Sequence, residues 1–388
     1  MSKKILFCAT VDYHFKAFHL PTMKWFKEQG WEVHVAASGN TDLPFTDKKH
    51  TIPIQRSPFR KDNMKAYQEL KAIIDQNQYR IIHCHTPLGG VLTRLAAREA
   101  RKKGTKVLYT AHGFHFCKGA PYVNWLLYYP TEKKLAAFTD CLITINREDY
   151  VLAVEQRFPS PHIELVNGVG VDTTRYQPVT EKQKKELRLK LGFKQDDFLL
   201  FYAAEFNKNK NQKVLINAMA ILKDELPKAR LLLAGEGPLL DECKSLAQTL
   251  GVDSKVEFLG FRKDIAQILP ACDIAVGSSF REGLPVNIME AMACGLPVVA
   301  SDNRGHRELV FEEYNGFLIA NNDSSLFANR IQKLFHSIKL RTSMGNESLV
   351  IMENYSLINV TSQLIPIYKR YMLEDSNEPK IKHHSAYI

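Results

Sequence analysis

A chain of 388 residues, 45% hydrophobic and 24% charged, has the size and makeup of a two-domain globular protein and not of a fibrous or disordered one. No run of 18 apolar residues occurs, which excludes a hydrophobic membrane-spanning helix; seven scattered cysteines without a C-x-x-C pair exclude a disulfide frame or a cysteine zinc site and point to reduced thiols in a cytosolic protein. The net charge of +10 is lopsided, with 24 Lys and Arg against 15 Asp and Glu in residues 1–170 and 28 against 27 in residues 171–388; a basic half suits anionic lipid, phosphorylated substrates or nucleic acid, but no nucleic-acid recognition motif accompanies it, so no nucleic-acid partner is expected.

The start is basic and then apolar, but the apolar run is short and breaks at Asp12, so residues 5–11 read as a buried first strand and not as a leader. Apolar runs follow at 33–37, 81–84, 106–110 and 141–145, with amphipathic stretches at 15–29, 61–76 and 88–103 between them. Val166 to Pro178, rich in Gly and closed by Pro, reads as a connection. A charged helix at 181–191 opens the second half, with strands expected at 198–204, 230–234, 256–259, 274–277, 297–300 and 316–319. A last helix is expected at 356–372. Short apolar strands alternating with helices dictate parallel sheets covered on both faces. The expected fold class is therefore α/β, two Rossmann-like doubly wound domains at 1–170 and 171–355. Residues 356–374 are expected to pack back on the N-terminal domain, and the polar tail 375–388 to be disordered. Ligands in such folds bind at the carboxyl ends of the strands, so chemistry is sought in the loops after them.

The richest such loop is Ser278-Ser-Phe-Arg-Glu-Gly-Leu-Pro-Val-Asn-Ile-Met-Glu290. Pro285 suits the first turn of a helix, whose N-terminus offers free N–H groups and a positive dipole end to an anion. Glu282 stands before that helix and Glu290 inside it. Two carboxylates suit sugar or ribose hydroxyls better than phosphate, although in isolation such a pair is usually solvated surface charge.

Glu282, Gly283, Pro285, Glu290 and the trailing Gly295-Leu-Pro-Val resemble the signature of the retaining glycosyltransferases of family four, which have the GT-B fold: two Rossmann-like domains facing a cleft. The likeness extends along the chain through Thr110-Ala-His-Gly-Phe-His, Asn167-Gly-Val-Gly-Val-Asp, Leu233-Ala-Gly-Glu-Gly-Pro, Val256-Glu-Phe-Leu-Gly-Phe and Ala271-Cys-Asp-Ile-Ala-Val. Phe7 to His19 and Ala111 to Pro121 are similar to bacterial exopolysaccharide or capsule transferases. The resemblance implies that Glu282 contacts the transferred sugar, that Gly283 and Leu284 offer it backbone N–H groups, that Val286 serves the phosphates and Glu290 the ribose, and that Lys210 neutralises the departing diphosphate. Phe261 and Arg262 would flank the base, and His112 would face the donor. The family's usual Arg five residues before this Lys is Glu205 here. Lys208, Arg304 and Arg307 are the cations that could offset it.

The paired glycines usual after the first strand are also missing. Asp12, His14 and His19 stand there and are expected to face the acceptor, with Asp12 as a candidate base and His115 as a further acceptor contact. His83 and His85 fall on one face of a strand, but no carboxylate follows at useful spacing, so they read as structural or cleft-lining. No acidic metal motif is evident; no cofactor or metal is expected. The reading is a cytoplasmic retaining transferase that moves a hexosyl or N-acetylhexosaminyl group from a nucleotide sugar, with a UDP-sugar as the first expectation, to a lipid-linked or oligosaccharide acceptor. A nucleotide-sugar epimerase and a non-catalytic assembly partner are the alternatives. The basic helix 94–103 and the aromatic stretch Trp125 to Tyr129 are expected to hold the N-terminal domain to an anionic membrane surface.

Overall fold

The computed structural model describes residues 2–320 and 323–372; the tail 375–388 lies outside them. Two parallel sheets form. The first contains β1 (Lys4–Val11), β2 (Glu32–Ser38), β3 (Lys48–Thr51), β4 (Ile81–His85), β5 (Lys106–Ala111), β6 (Cys141–Thr144) and β7 (His162–Leu165), in the order β3-β2-β1-β4-β5-β6-β7. The second contains β8 (Phe198–Ala203), β9 (Ala229–Ala234), β10 (Val256–Gly260), β11 (Ile274–Gly277), β12 (Val298–Ser301) and β13 (Gly316–Ile319), in the order β10-β9-β8-β11-β12-β13. In each sheet the order reverses once, between β1 and β4 and between β8 and β11. These are the switch points at which doubly wound sheets open a crevice.

The central strands are apolar and buried on both faces, as parallel strands under helices must be. β3 and β7 have no counterpart among the expected strands. Both are edge strands with half-exposed polar residues, Lys48-Lys-His-Thr and His162-Ile-Glu-Leu, and so leave no apolar run. Local chemistry fixes several helix ends. Thr180 and Gln183 exchange the two bonds of a capping box at the start of Glu181–Leu191, and Gly192 ends it with φ +81°. The stretch 15–29 divides at His19 into Tyr13–Phe18 and Leu20–Glu28, and 88–103 divides at Ala97 into Pro87–Ala96 and Arg98–Lys102.

The last helix, Leu357–Met372, leaves the second domain and covers one face of the first sheet. Its Val360, Ile367, Tyr368 and Tyr371 are buried with Ile5, Phe7, Phe26 and Ile143. Tyr368 Oη lies 2.7 Å from His83 Nδ1, and Arg80 Nε donates to the Tyr371 carbonyl at 3.0 Å. The chain thus crosses between domains twice, and the two crossings are bonded together. Val171 N donates to Tyr355 O and Leu357 N to Val171 O, each at 2.9 Å.

Candidate active site

The loops after β8 and β11 meet at the second sheet's switch point. Phe280 N donates to Asn209 O at 2.8 Å, Asn209 Nδ2 to Arg281 O at 2.9 Å, and Ser278 Oγ to Lys210 O at 2.8 Å. Tyr202 Oη and Ser279 Oγ stand 2.7 Å apart beneath them. This stitching brings Lys210 Nζ to 2.5 Å from Glu282 Oε1, across 72 residues of sequence. The helix Val286–Ala293 begins just beyond, with Pro285 as its N-cap residue, so its open N–H groups adjoin the pair. Leu284 is buried against Gly168 of the connection, and Val286 is half-buried at the helix start.

The first domain closes over this loop. A Cβ on Gly283 would stand 2.2 Å from the His112 carbonyl, and one on Gly113 would stand 2.8 Å from Gly283 Cα. Only glycine lets the two backbones approach so closely, and Gly113 also has φ +116°. Arg304 ties the seam: its Nε donates to Glu282 O at 3.0 Å, one guanidinium nitrogen to Phe114 O at 2.5 Å, and the other pairs with buried Asp149. Burial pushes the Asp149 carboxyl up, to about 6, against the pull of Arg304. Arg307 bridges to Asp302 and to Glu148 across the seam. Both arginines are therefore engaged in protein contacts.

Glu205 is exposed and accepts from Asn207 Nδ2 at 3.0 Å. Lys208 is exposed and lines a hollow with Asn211, Lys213 and Phe280 that does not include Lys210. Glu290, half-buried, is hydrogen-bonded to Tyr176 of the connection; burial raises its carboxyl above the usual range, and the Tyr176 bond opposes this. Phe261 is exposed beyond the edge strand β10, and Arg262 forms a two-bond fork with Asp264 at 2.8 and 2.5 Å.

At the first sheet's switch point His112 follows β5, and burial lowers its pKa to about 4, so the ring is neutral. His14, His19 and His85 gather around it, with ring-centroid distances of 4.7, 5.9 and 5.4 Å. Burial and the neighbouring imidazoles hold these three well below the ordinary histidine range. This is the one grouping among the described residues that offers clustered metal ligands. His115 is exposed, with its ring 4.7 Å from Tyr128.

Asp12, expected as an acceptor base, is set among protein partners: it is 3% exposed and accepts from Thr41 N at 2.6 Å, Thr41 Oγ1 at 2.9 Å and Lys49 Nζ at 2.6 Å, so it anchors the loop after β2. The basic helix 94–103 is a free cationic face only in part: Arg94 is buried on Glu132 and over the Tyr109 ring and Arg101 forks onto Asp140, whereas Arg98, Lys102 and Lys103 stand exposed, Lys102 beside an exposed Glu99. Asp149 went unrecognised in the sequence. Its one local signal is Asn146, which caps the helix Arg147–Glu155 just past β6 by accepting from Asp149 N.

Residues 183–349 match the family model described as glycosyl transferases group 1, and residues 4–146 match glycosyl transferase 4-like. EpsD of Bacillus subtilis (strain 168), a glycosyltransferase by name, is 53% identical over 381 residues, 98% of this chain and 100% of its own. The chain belongs to the family-four glycosyltransferases. A further relative is the UDP-Gal:alpha-D-GlcNAc-diphosphoundecaprenol alpha-1,3-galactosyltransferase of Escherichia coli, 28% identical over 79% of each chain. Among solved structures, Anabaena Alr3699/HepE in complex with UDP and glucose superposes with a TM-score of 0.77 at 21% identity, over 95% of this chain and 99% of that one. The transferase thus has the GT-B fold, and the Lys210–Glu282 pair lies in the cleft between its two domains.

Proposed function

We propose that the enzyme transfers a hexosyl or N-acetylhexosaminyl group, with retention, from a UDP-sugar to a lipid-linked diphosphate sugar in exopolysaccharide or capsule assembly. The observation that carries this is the Lys210–Glu282 pair beside a helix N-terminus, closed over by His112 and Gly113. Lys210 and the open N–H groups stabilise the charge that develops on the departing diphosphate. Glu282 favours the positive anomeric centre, Gly283 and Leu284 present backbone N–H groups to the sugar, and Glu290, set by Tyr176, receives the ribose. Phe261 and Arg262 frame the base, and Lys208 offsets Glu205. His14 and His115 lie on the acceptor side. Closure at the seam excludes water, which spares the donor from hydrolysis. No metal serves the diphosphate in this scheme. The galactosyltransferase relative, by its name a user of UDP-Gal and a diphosphoundecaprenol acceptor, supports the choice of both substrates.

Glu282→Ala and Lys210→Ala are each expected to lower turnover at least about 10²-fold, the scale of losing one electrostatic contact in the transition state. The folds should survive, and wild-type turnover should persist without magnesium or manganese. Near-normal turnover in both variants would sink the assignment. Release of free epimerised nucleotide sugar would favour an epimerase, and failure to bind any UDP-, GDP- or ADP-sugar a non-catalytic partner.

The acceptor side is proposed to work at the inner face of the membrane. No helix among the described residues is long and apolar enough to cross a bilayer. Tyr122, Val123, Leu126 and Leu127 instead stand exposed on the helix Tyr122–Ala136, with Lys118 and Lys134 exposed nearby. Trp125 and Tyr129 turn inward onto Phe116. An exposed apolar row with lysines nearby, together with the exposed Arg98, Lys102 and Lys103, suits an anionic interface.

A further inference from the structure

Four histidines from three segments converge on the first domain's side of the cleft. His14 comes from the helix Tyr13–Phe18 after β1 and His19 from the break that follows it, His85 from the end of β4, and His112 from just past β5. One ring nitrogen of each lies within 4.8 Å of the others. Two separations are closer: His85 Nδ1 to His112 Nε2 is 3.2 Å, and His14 Nε2 to His19 Nε2 is 3.1 Å. Four nitrogens around a tetrahedral ion, with bonds of about 2.0–2.1 Å, stand about 3.3 Å apart, so rotations that move these atoms by about an ångström complete the set.

Two further observations bear on a ligand. His85 is fully buried; its Nδ1 is the nitrogen near His112, and its Nε2 has no hydrogen-bond partner, so the ring can turn without losing a bond there. The cavity lined by His19, His83, His85, Thr110 and His112, with His14 outside its lining, measures about 20 Å³, room for one water or ion. His83, the fifth ring, stands outside the set, because its two nitrogens are already engaged by Tyr368 Oη and Thr110 Oγ1 at 2.7 and 2.8 Å.

We propose that His14, His19, His85 and His112 form a mononuclear transition-metal site between the first sheet's switch point and the acceptor side of the cleft. The donor set is all imidazole, which suits Zn²⁺, Co²⁺, Ni²⁺ or Cu²⁺ and not Mg²⁺, Ca²⁺ or Mn²⁺. It is therefore separate from the metal-free handling of the donor diphosphate by Lys210. Its link to transfer is His112: a bound ion fixes the ring expected to face the donor. The site goes beyond the proposed transfer reaction and can be tested without any sugar donor.

The test is titration of untagged, chelator-stripped, full-length protein with Co²⁺ alone, followed by Zn²⁺. The expected result is one equivalent bound, the visible absorption of four-coordinate cobalt, and displacement by zinc. His14→Ala and His85→Ala should each weaken binding by at least about 100-fold, beyond the effect of removing an outer-sphere partner. His115→Ala, and a variant with both His383→Ala and His384→Ala, should bind as the wild type does. Thermal melts accompany each variant; if His85→Ala fails to fold, the half-exposed His14 decides. No stoichiometric binding, undiminished binding in folded His14→Ala, or loss that follows His383 and His384 would overturn the site. Glu282→Ala is titrated in parallel: metal binding there with transfer abolished supports both readings, whereas metal binding with transfer intact removes the proposed function and leaves the site standing.

Discussion

The carboxylate of Asp12 owes its role to residues 29 and 37 positions away, Thr41 and Lys49. Burial pushes its pKa up, but the bonds from Lys49 and from the Thr41 N–H and hydroxyl together outweigh burial and leave it below the ordinary carboxylate value. A folded pKa below the unfolded one contributes stability that is present above the ordinary range and is lost as pH falls through the lowered value. Asp12→Asn is therefore expected to lower stability by about 1–3 kcal/mol near pH 7. The gap to wild type should narrow at a pH below the ordinary carboxylate range, where Asp12 begins to protonate. Paired denaturant melts at the two pH values measure it, and a gap that widened in acid would contradict the assignment. Glu282 and Lys210 could be singled out in the sequence because their loops carry local motifs. The surroundings of Asp12 and Asp149 could not be read there because their partners lie far off in sequence, Arg304 at a separation of 155 residues.

Among the elements, the buried strands were the most legible, since a parallel strand under two layers of helix must be apolar throughout. The edge strands β3 and β7 were not, because half of their surface meets solvent. The helix Leu357–Met372 follows the same logic with a larger consequence. Its period announces an amphipathic helix but not its partner, which lies in the other domain. Tyr368 fills the space beside Phe26, at a ring distance of 4.8 Å, and engages His83. Tyr368→Ala is expected to cost about 3–5 kcal/mol through the cavity it leaves. The loss should fall on the first domain, so hydrogen exchange should accelerate in β1 and β4 while β8 and β9 stay protected. Uniform acceleration across both sheets would mean that the domains unfold as one unit.

For the whole molecule, the two crossings at Val171 and Ser356 lie side by side, while Arg304 and the Gly113–Gly283 contact hold the cleft. The crossings adjoin the seam: Gly168 of the connection packs on Leu284, next to the Gly113–Gly283 contact, and Tyr355 Oη donates to Glu308 O at 3.2 Å. Arg304→Met removes the clasp across that seam and leaves Asp149 buried without its cation. The expected outcome is a larger radius of gyration in solution scattering and at least about tenfold lower turnover, with the individual domains still folded. An unchanged scattering profile with unchanged turnover would refute the clasp. At the membrane, Leu126→Glu with Leu127→Glu should abolish co-sedimentation with anionic vesicles at low salt and leave donor hydrolysis intact. Equal binding of the wild type to neutral and anionic vesicles would argue against the electrostatic part of that attachment.

The last helix also orders events during synthesis. Domains generally fold as the ribosome releases them, N-terminal first. Here the surface of the first sheet formed by Ile5, Phe7 and Ile143 waits for residues 360–371, which emerge after the whole second domain. A chain interrupted anywhere in the second domain therefore lacks the helix that completes the cover of this apolar face.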